Sequence, residues 1–147
     1  MKNKLAAIFA INVFVIVSAM GQNSVANYND SQYQITKMLK SFYTGLAEIC
    51  SEMELNLDKI DSLKKLNCTK NYYRFLEKQG MLDYDPLVKG QVFGLEYLNT
   101  LTIRMDPVKK NLYYVSFIRP YNKEIATIKL IIARESKSYK IDSVYLD

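Results

Sequence analysis

The sequence predicts an α+β fold, in which a long N-terminal helix and two short helices pack on a curved four-stranded antiparallel sheet. Apolar residues recur at steps of three and four in the first half of the chain, and they alternate with polar residues in the second half. The segments between the predicted strands are too short to contain crossover helices. We therefore expect the strands to pair as an antiparallel meander.

The N-terminus has the pattern of a cleavable signal peptide. Two lysines precede an apolar run of about a dozen residues, and the small residues Ala19 and Gly21 occupy the positions before a cleavage site. A retained membrane anchor is the less favoured alternative, because a membrane-spanning helix needs roughly 20 apolar residues. We therefore expect a secreted protein with no stable membrane span after cleavage, and the periplasm is its expected compartment. The predicted organisation is a signal peptide over residues 1–21, a flexible lead over residues 22–29 and a single domain over residues 30–147.

The long helix is predicted to begin at an Asp30 or Ser31 cap, with Gln34 completing a capping box, and to run to about Cys50. Its apolar residues share one face, so this face should be buried. They are Ile35, Met38, Leu39, Phe42, Tyr43, Leu46 and Ile49.

The two short helices follow. Residues 58–66 carry apolar side chains at every third position with lysines between them. Thr69 is typical of a helix N-cap, and Gly80 is typical of the left-handed position that ends a helix. The third helix should therefore lie between these two residues.

Four strands are predicted in the second half of the chain, because its segments are rich in Tyr, Ile, Val and Thr and are separated by turn residues. They are residues 97–105, 112–118, 124–134 and 138–146. In the third strand, every second residue from Ala126 to Ile132 is apolar. This face should be buried under the helices.

Composition excludes several classes of chemistry. The chain has no histidine, which excludes Ser-His-Asp and Cys-His nucleophile arrangements and every histidine-based metal site. Gly-rich phosphate loops, Gly-x-Ser-x-Gly elbows and EF-hand loops are also missing from the sequence. We expect no catalytic set, metal or cofactor.

The charge argues against nucleic acid as a partner. Removal of residues 1–21 lowers the formal charge from +5 to +3, and the remaining lysines and acids are interspersed without a basic run.

Cys50 and Cys68 are predicted to form a disulfide, because the expected compartment is oxidising and the number of cysteines is even. The alternative is a pair of buried free thiols that act as small apolar fillers.

The candidate ligand-binding residues are Asp83, Tyr84, Asp85 and Tyr114. The two acids stand two residues apart just before a proline, and this spacing can orient both towards a pocket mouth or a cation. The alternative is an ordinary turn, in which the carboxylates accept bonds from local amides. The tyrosines can line a pocket or a binding surface, and the alternative for them is packing within the sheet.

Several segments resemble the bacterial family known as domain of unknown function 3828. They are residues 35–43, the run Cys68-Thr69-Lys70, and the run Leu82-Asp83-Tyr84-Asp85-Pro86 followed by Gln91. Val92 departs from the acidic residue that the family has after this glutamine. The resemblance implies a small secreted protein with a cystatin-like or ketosteroid-isomerase-like cone, in which a curved sheet wraps a long helix and leaves a pocket. It implies no activity, because this fold serves enzymes and binding proteins alike.

Three functions are compatible with the sequence. The leading one is a non-enzymatic module of the cell envelope that binds a small ligand or an envelope protein in the cone pocket. The second is a cone-type hydrolase, isomerase or dehydratase, with Asp83 or Asp85 as general base and a tyrosine polarising the substrate. The third is an inhibitor or immunity-type protein with one protein partner.

Overall fold

A computed structural model of the protein describes residues 29–79 and 84–145. The chain divides into two compact units, Met1–Gln34 and Ile35–Asp147, and the described part of the first unit is helical. The predicted signal peptide lies outside the described residues, as does the predicted flexible lead apart from its last residue. No helix in the described ranges is long and apolar enough to cross a membrane.

The first helix, α1, covers residues 29–50 of the described chain. The predicted cap at Asp30 or Ser31 is wrong, because both residues already lie within the helix. The Nε2 of Gln34 donates to Asp30 Oδ2 one turn earlier, at 2.9 Å. The predicted buried face is confirmed from Ile35 onward. Two of the predicted residues, Met38 and Ile49, are half-buried, and Ala47, which was not predicted, is buried. The predicted residues that are buried are Ile35, Leu39, Phe42, Tyr43 and Leu46.

The second helix, α2, is Leu57–Asn67 and contains no buried residue. It begins after Asn56, whose side chain accepts a hydrogen bond from the Lys59 amide at 3.0 Å. It approaches α1 closely at Gly45, where an added Cβ would lie 3.4 Å from Leu63 Cδ1. Leu63 of α2 therefore lies against α1 at this position, at a distance that would also accommodate a small side chain.

The third helix, α3, is Lys70–Gln79. The predicted cap is confirmed, because Thr69 Oγ1 accepts a hydrogen bond from the Tyr72 amide at 3.3 Å. Gly80, the predicted end of this helix, lies outside the described residues.

The four strands form one antiparallel sheet in the order β1-β2-β3-β4, which confirms the predicted meander. They are β1 (Thr102–Met105), β2 (Leu112–Ile118), β3 (Ile125–Glu135) and β4 (Ser138–Val144). The first strand is shorter than predicted, since Leu95–Thr100 forms a 3₁₀ helix. Tyr97 packs there against the rings of Phe93 and Phe117, with centroid distances of 5.1 and 5.3 Å. This packing bends the chain before β1 begins.

The predicted inner face of β3 is confirmed, because Ala126, Ile128, Leu130 and Ile132 are all buried. The register between β3 and β4 shifts after Ile131, and the shift leaves Asp142 as an extra residue in β4. A helix layer and one face of a sheet thus enclose the core, and the α+β fold class is as predicted.

An aromatic cluster fills the core between α1 and the sheet. Tyr43 contacts Phe42 and Phe93 with ring centroids at 5.2 and 5.4 Å, and Phe93 contacts Phe117 at 5.0 Å, all in edge-to-face geometry. These four rings are at most 2% exposed. Side chains therefore occupy this part of the space in which a cone pocket was expected.

Candidate functional site

The predicted Asp-Tyr-Asp-Pro segment leads into a tight loop over residues 85–90. The Asp85 amide donates to the Gly90 carbonyl at 2.8 Å, and Asp85 Oδ1 accepts from the Leu87 amide at 2.9 Å. Lys89 has a positive φ of 49°, as a tight reversal of the chain requires. The ordinary-turn interpretation of Asp85 agrees with this geometry.

Three further contacts attach this loop to the rest of the domain. Asp85 Oδ2 forms an ion pair of 2.6 Å with Lys64 Nζ on α2. The hydroxyl of Tyr43 on α1 donates to the Leu87 carbonyl at 2.8 Å. Arg119 Nη2 donates to the Lys89 carbonyl at 2.7 Å. Both oxygens of the Asp85 carboxylate are thus engaged in holding the loop.

Tyr43 is a hydrogen-bond donor rather than an acid. Burial raises the pKa of its phenol well above the ordinary value, and the nearby Asp85 carboxylate raises it further. The protonated phenol therefore persists to high pH and keeps its bond to the loop.

The two cysteines are not bonded to each other, so the predicted disulfide is wrong and the alternative of two free thiols applies. Cys68 is buried, and its backbone forms an isolated parallel β-bridge with Ile141 of β4. Cys50 is half-buried at the end of α1. Burial raises the pKa of the Cys68 thiol to about 12, although Lys64 opposes this effect. Such a thiol is an apolar core group rather than a nucleophile.

The Cys-Thr motif joins the helices to the sheet. The Cys68 amide donates to the Lys64 carbonyl at the end of α2, at 2.8 Å. The Thr69 amide donates to the Ile141 carbonyl at 2.8 Å, and Thr69 Oγ1 donates to Asp142 Oδ1 at 2.9 Å. The β4 bulge thus supplies the acceptor for this buried threonine, which gives the motif a structural role.

The outer face of the sheet carries a different arrangement, which we call the cross-strand row. It consists of Arg104, Tyr114, Lys129 and Tyr145. Arg104 of β1 is opposite Tyr114 of β2, and Tyr114 is opposite Lys129 of β3. The Tyr145 amide donates to the Lys129 carbonyl at 2.7 Å, which places this tyrosine beside β3 just after β4 ends. Cations and phenol rings therefore alternate across the sheet.

A carboxylate below the row is occupied by internal bonds. Tyr114 Oη donates to Asp106 Oδ2 at 2.8 Å, while Asp106 Oδ1 accepts from the amides of Val108 and Lys109 at 2.9 and 2.7 Å. The Lys109 amide, the Tyr114 hydroxyl and the Val108 amide lower the pKa of Asp106. The same carboxylate raises the pKa of Tyr114 through their hydrogen bond. Asp106 thus orients the Tyr114 ring and stays ionised.

Positive charge surrounds the end of the row. Lys109 Nζ and Lys129 Nζ each lie 5.8 Å from the centroid of the Tyr145 ring, within the range of cation–π attraction. The Tyr145 side chain is 50% exposed, and Arg104 is exposed. Three cations therefore accompany two phenol rings and one internally bonded carboxylate.

The three candidate residues that the structure describes, Tyr84, Asp85 and Tyr114, do not form one site. Tyr114 lies on the outer face of the sheet, whereas the loop of Asp85 contributes the buried Leu87 to the core. Tyr84 is 46% exposed, and Asp83 lies outside the described residues. Sequence reasoning missed the neighbours of Tyr114 in the cross-strand row. The alternation of inner and outer residues along each predicted strand could have assigned these side chains to the outer face. It could not show which residues lie opposite one another, because that depends on the register between strands.

Surface grooves occur on the helical side of the molecule. One groove of about 490 Å³ lies at the end of α1 and beside α2, where Ile49, Leu63 and Leu66 line it. Another of about 420 Å³ follows the outer face of α1 past Lys40 and Glu48. Neither groove lies between α1 and the sheet. Among residues 29–79 and 84–145, no group of three or more metal-binding side chains is placed to hold an ion.

A crystal structure of a protein of unknown function from Bacteroides thetaiotaomicron VPI-5482 is similar to this chain, with a TM-score of 0.63 and 21% sequence identity. The match covers 80% of this chain and 95% of that chain. No family model and no curated protein matches the sequence. At this identity the likeness supports the α+β fold alone. Membership of the domain of unknown function 3828 family stays a prediction.

Proposed function

We propose that this protein is a non-enzymatic binding module of the cell envelope that holds a macromolecular partner on the outer face of its sheet. The observation that carries the proposal is the cross-strand row, in which Arg104, Tyr114, Lys129 and Tyr145 alternate cation and ring across four neighbouring chain segments. Arg104 and Tyr145 are exposed, and Tyr114 and Lys129 are half-buried. Aromatic and basic side chains concentrated on one accessible face are typical of binding surfaces.

The packing of the interior favours a binding site on the surface and argues against one in a cone pocket. Phe42, Tyr43, Phe93 and Phe117 pack edge to face where a small ligand was expected. Small-molecule sites are concave and enclose most of their ligand, whereas the outer face of a sheet is open. A partner that contacts several strands at once is therefore favoured over a small ligand.

The same contacts weaken the enzymatic alternative. A general base needs a carboxylate that can reach a substrate proton, and Asp85 instead bonds Lys64 and the Leu87 amide. The thiol of Cys68 is buried and protonated. A binding protein does not need a reactive carboxylate or a reactive thiol.

Action outside the cytoplasm is supported by the sequence. Residues 1–21 have the pattern of a signal peptide, and the resemblance to a family of secreted proteins agrees with it. The mass of the protein recovered from the envelope tests this part of the proposal, because cleavage after Gly21 should leave Gln22 as the first residue.

Lysine footprinting tests the binding surface. The exported protein is mixed with the envelope fraction of its own cells, acetylated briefly, and analysed by mass spectrometry. Lys109 and Lys129 should lose reactivity in the presence of the fraction, because a bound partner covers the row. Lys59 on α2 and Lys123 in the β2–β3 turn serve as controls and should react as before. The proposed function would be refuted if the control lysines were protected instead, or if every lysine reacted equally with and without the envelope fraction.

A further inference from the structure

We infer that the partner of the cross-strand row is an extended acidic polysaccharide in which acidic and neutral sugars alternate. This inference rests on the proposed function and names the chemical class of its partner. It is argued from the charge of the row, from the spacing of its members and from the hydroxyl groups beside it.

The charge of the row selects an anionic partner. Arg104, Lys109 and Lys129 are cationic, and the Asp106 carboxylate beneath them already accepts bonds from a phenol and two amides. That carboxylate offsets one of the three positive charges, so a net positive charge remains on this part of the outer face. Guanidinium and ammonium groups form strong charge-assisted hydrogen bonds with carboxylates.

The spacing of the row selects an alternating polymer. A pyranose unit of an extended chain is about as long as the distance between neighbouring strands, roughly 4.8 Å. A polysaccharide lying across the strands therefore places one sugar over each member of the row. Acidic sugars then meet Arg104 and Lys129, while neutral sugars meet the rings of Tyr114 and Tyr145.

A parallel line of hydroxyl groups lies beside the row. Thr102 is opposite Ser116, and Ser116 is opposite Thr127, one step along the same outer face. Ser116 Oγ and Thr127 Oγ1 are 2.9 Å apart and share a hydrogen bond, so each retains further capacity to donate or accept. Sugar hydroxyls match such groups, and a polymer that covers the row also covers this line.

An acidic protein fits the surface less well. The centres of protein interfaces are enriched in tyrosine and arginine but depleted in lysine, and Lys129 lies in the middle of the row. Single-stranded nucleic acid also combines charge with rings, but it favours a longer basic groove. The outer face has three cations in this region and the sequence has no basic run.

The test measures binding of the exported protein to a short hyaluronan oligosaccharide, in which uronic acid alternates with N-acetylhexosamine, by isothermal titration calorimetry. Oligogalacturonate, a chitin oligosaccharide, poly-glutamate and oligothymidylate are titrated in parallel. We expect the hyaluronan oligosaccharide to bind most tightly and the neutral chitin oligosaccharide to bind least.

Variants locate the site. The double change R104Q/K129Q should weaken binding of hyaluronan about tenfold or more, because two charge-assisted contacts are lost. The double change R134Q/K137Q removes the same charge near the β3–β4 turn and should leave binding unchanged. Y145A should also weaken binding, since it removes an exposed ring. Thermal melts confirm that each variant is folded.

Each outcome decides the inference. Equal affinity for oligogalacturonate would overturn the alternation, and tighter binding of poly-glutamate or oligothymidylate would overturn the polysaccharide. No binding of hyaluronan, or equal loss in both double variants, would also overturn it. If polysaccharide digestion of the envelope fraction leaves Lys109 and Lys129 protected, the inference fails while the proposed function stands. If the fraction protects neither lysine, the proposed function itself fails.

Discussion

Replacement of Tyr43 by phenylalanine tests the attachment of the residue 85–90 loop to the core. The ring and its contacts with Phe42 and Phe93 stay in place, and only the hydroxyl that donates to the Leu87 carbonyl at 2.8 Å is removed. Leu87 is fully buried, so no solvent replaces the lost donor. A hydrogen bond of this kind contributes about 1 kcal/mol, and an unsatisfied buried acceptor adds to the loss. We expect Y43F to lower the free energy of unfolding by about 1–2 kcal/mol.

Urea unfolding followed by circular dichroism measures this change, and the slope with denaturant should stay constant. Y121F is the matched control, because Tyr121 is 74% exposed, and it should lie within about 0.5 kcal/mol of the wild type. Hydrogen exchange should also quicken at the Asp85 amide, whose bond to Gly90 closes the loop. If Y43F is no less stable than Y121F, the hydroxyl does not hold the loop and the reasoning fails.

Four further predictions concern charge, thiols and backbone strain. D85N keeps an acceptor for the Leu87 amide but removes the partner of a half-buried lysine, and should cost about 1–2 kcal/mol in urea unfolding; an unchanged midpoint would contradict this. Native protein should be alkylated at Cys50 much faster than at Cys68, and mass spectrometry would contradict this if both react alike. Because the pKa of Cys68 is higher in the folded than in the unfolded protein, the free energy of unfolding should fall as pH rises from 9 to 10. Urea unfolding at each pH measures this fall, which should be smaller in C68A. K123G should raise stability by about 0.5–1 kcal/mol, because Lys123 has a φ of 60°, and a loss would show that the turn carries no such strain.

The local patterns of the sequence predicted the elements well. The apolar stripe of α1 and the alternating face of β3 depend only on periodicities of 3.6 and 2, which the chain states directly. The Thr69 cap was equally accessible, because capping requires one side chain and an amide three residues away. Short connections were sufficient to predict an antiparallel meander.

Contacts between distant segments were not predictable in this way. The residue 85–90 loop is held by Lys64, which is 21 residues before its partner Asp85, and by Tyr43, which is 44 residues before its partner Leu87. The disulfide was predicted from compartment and number alone, which do not report where the two thiols lie in the fold, and both cysteines are free. Tyr97 looked like a strand residue until its packing with Phe93 placed it in a 3₁₀ helix.

The tyrosines have two different roles in this domain, since some fill the core and others lie in the cross-strand row. Tyr43 is buried and donates its hydroxyl to a loop carbonyl, so both its ring and its hydroxyl are engaged within the core. Tyr114 alternates with the buried residues Tyr113, Val115 and Phe117 of β2, and its hydroxyl donates to the nearby Asp106 carboxylate. A ring held in this way loses little further freedom when a partner covers it, so binding costs less conformational entropy there than at a mobile side chain. On the outer face, we therefore expect binding to lose less conformational entropy than it would at a surface of mobile side chains.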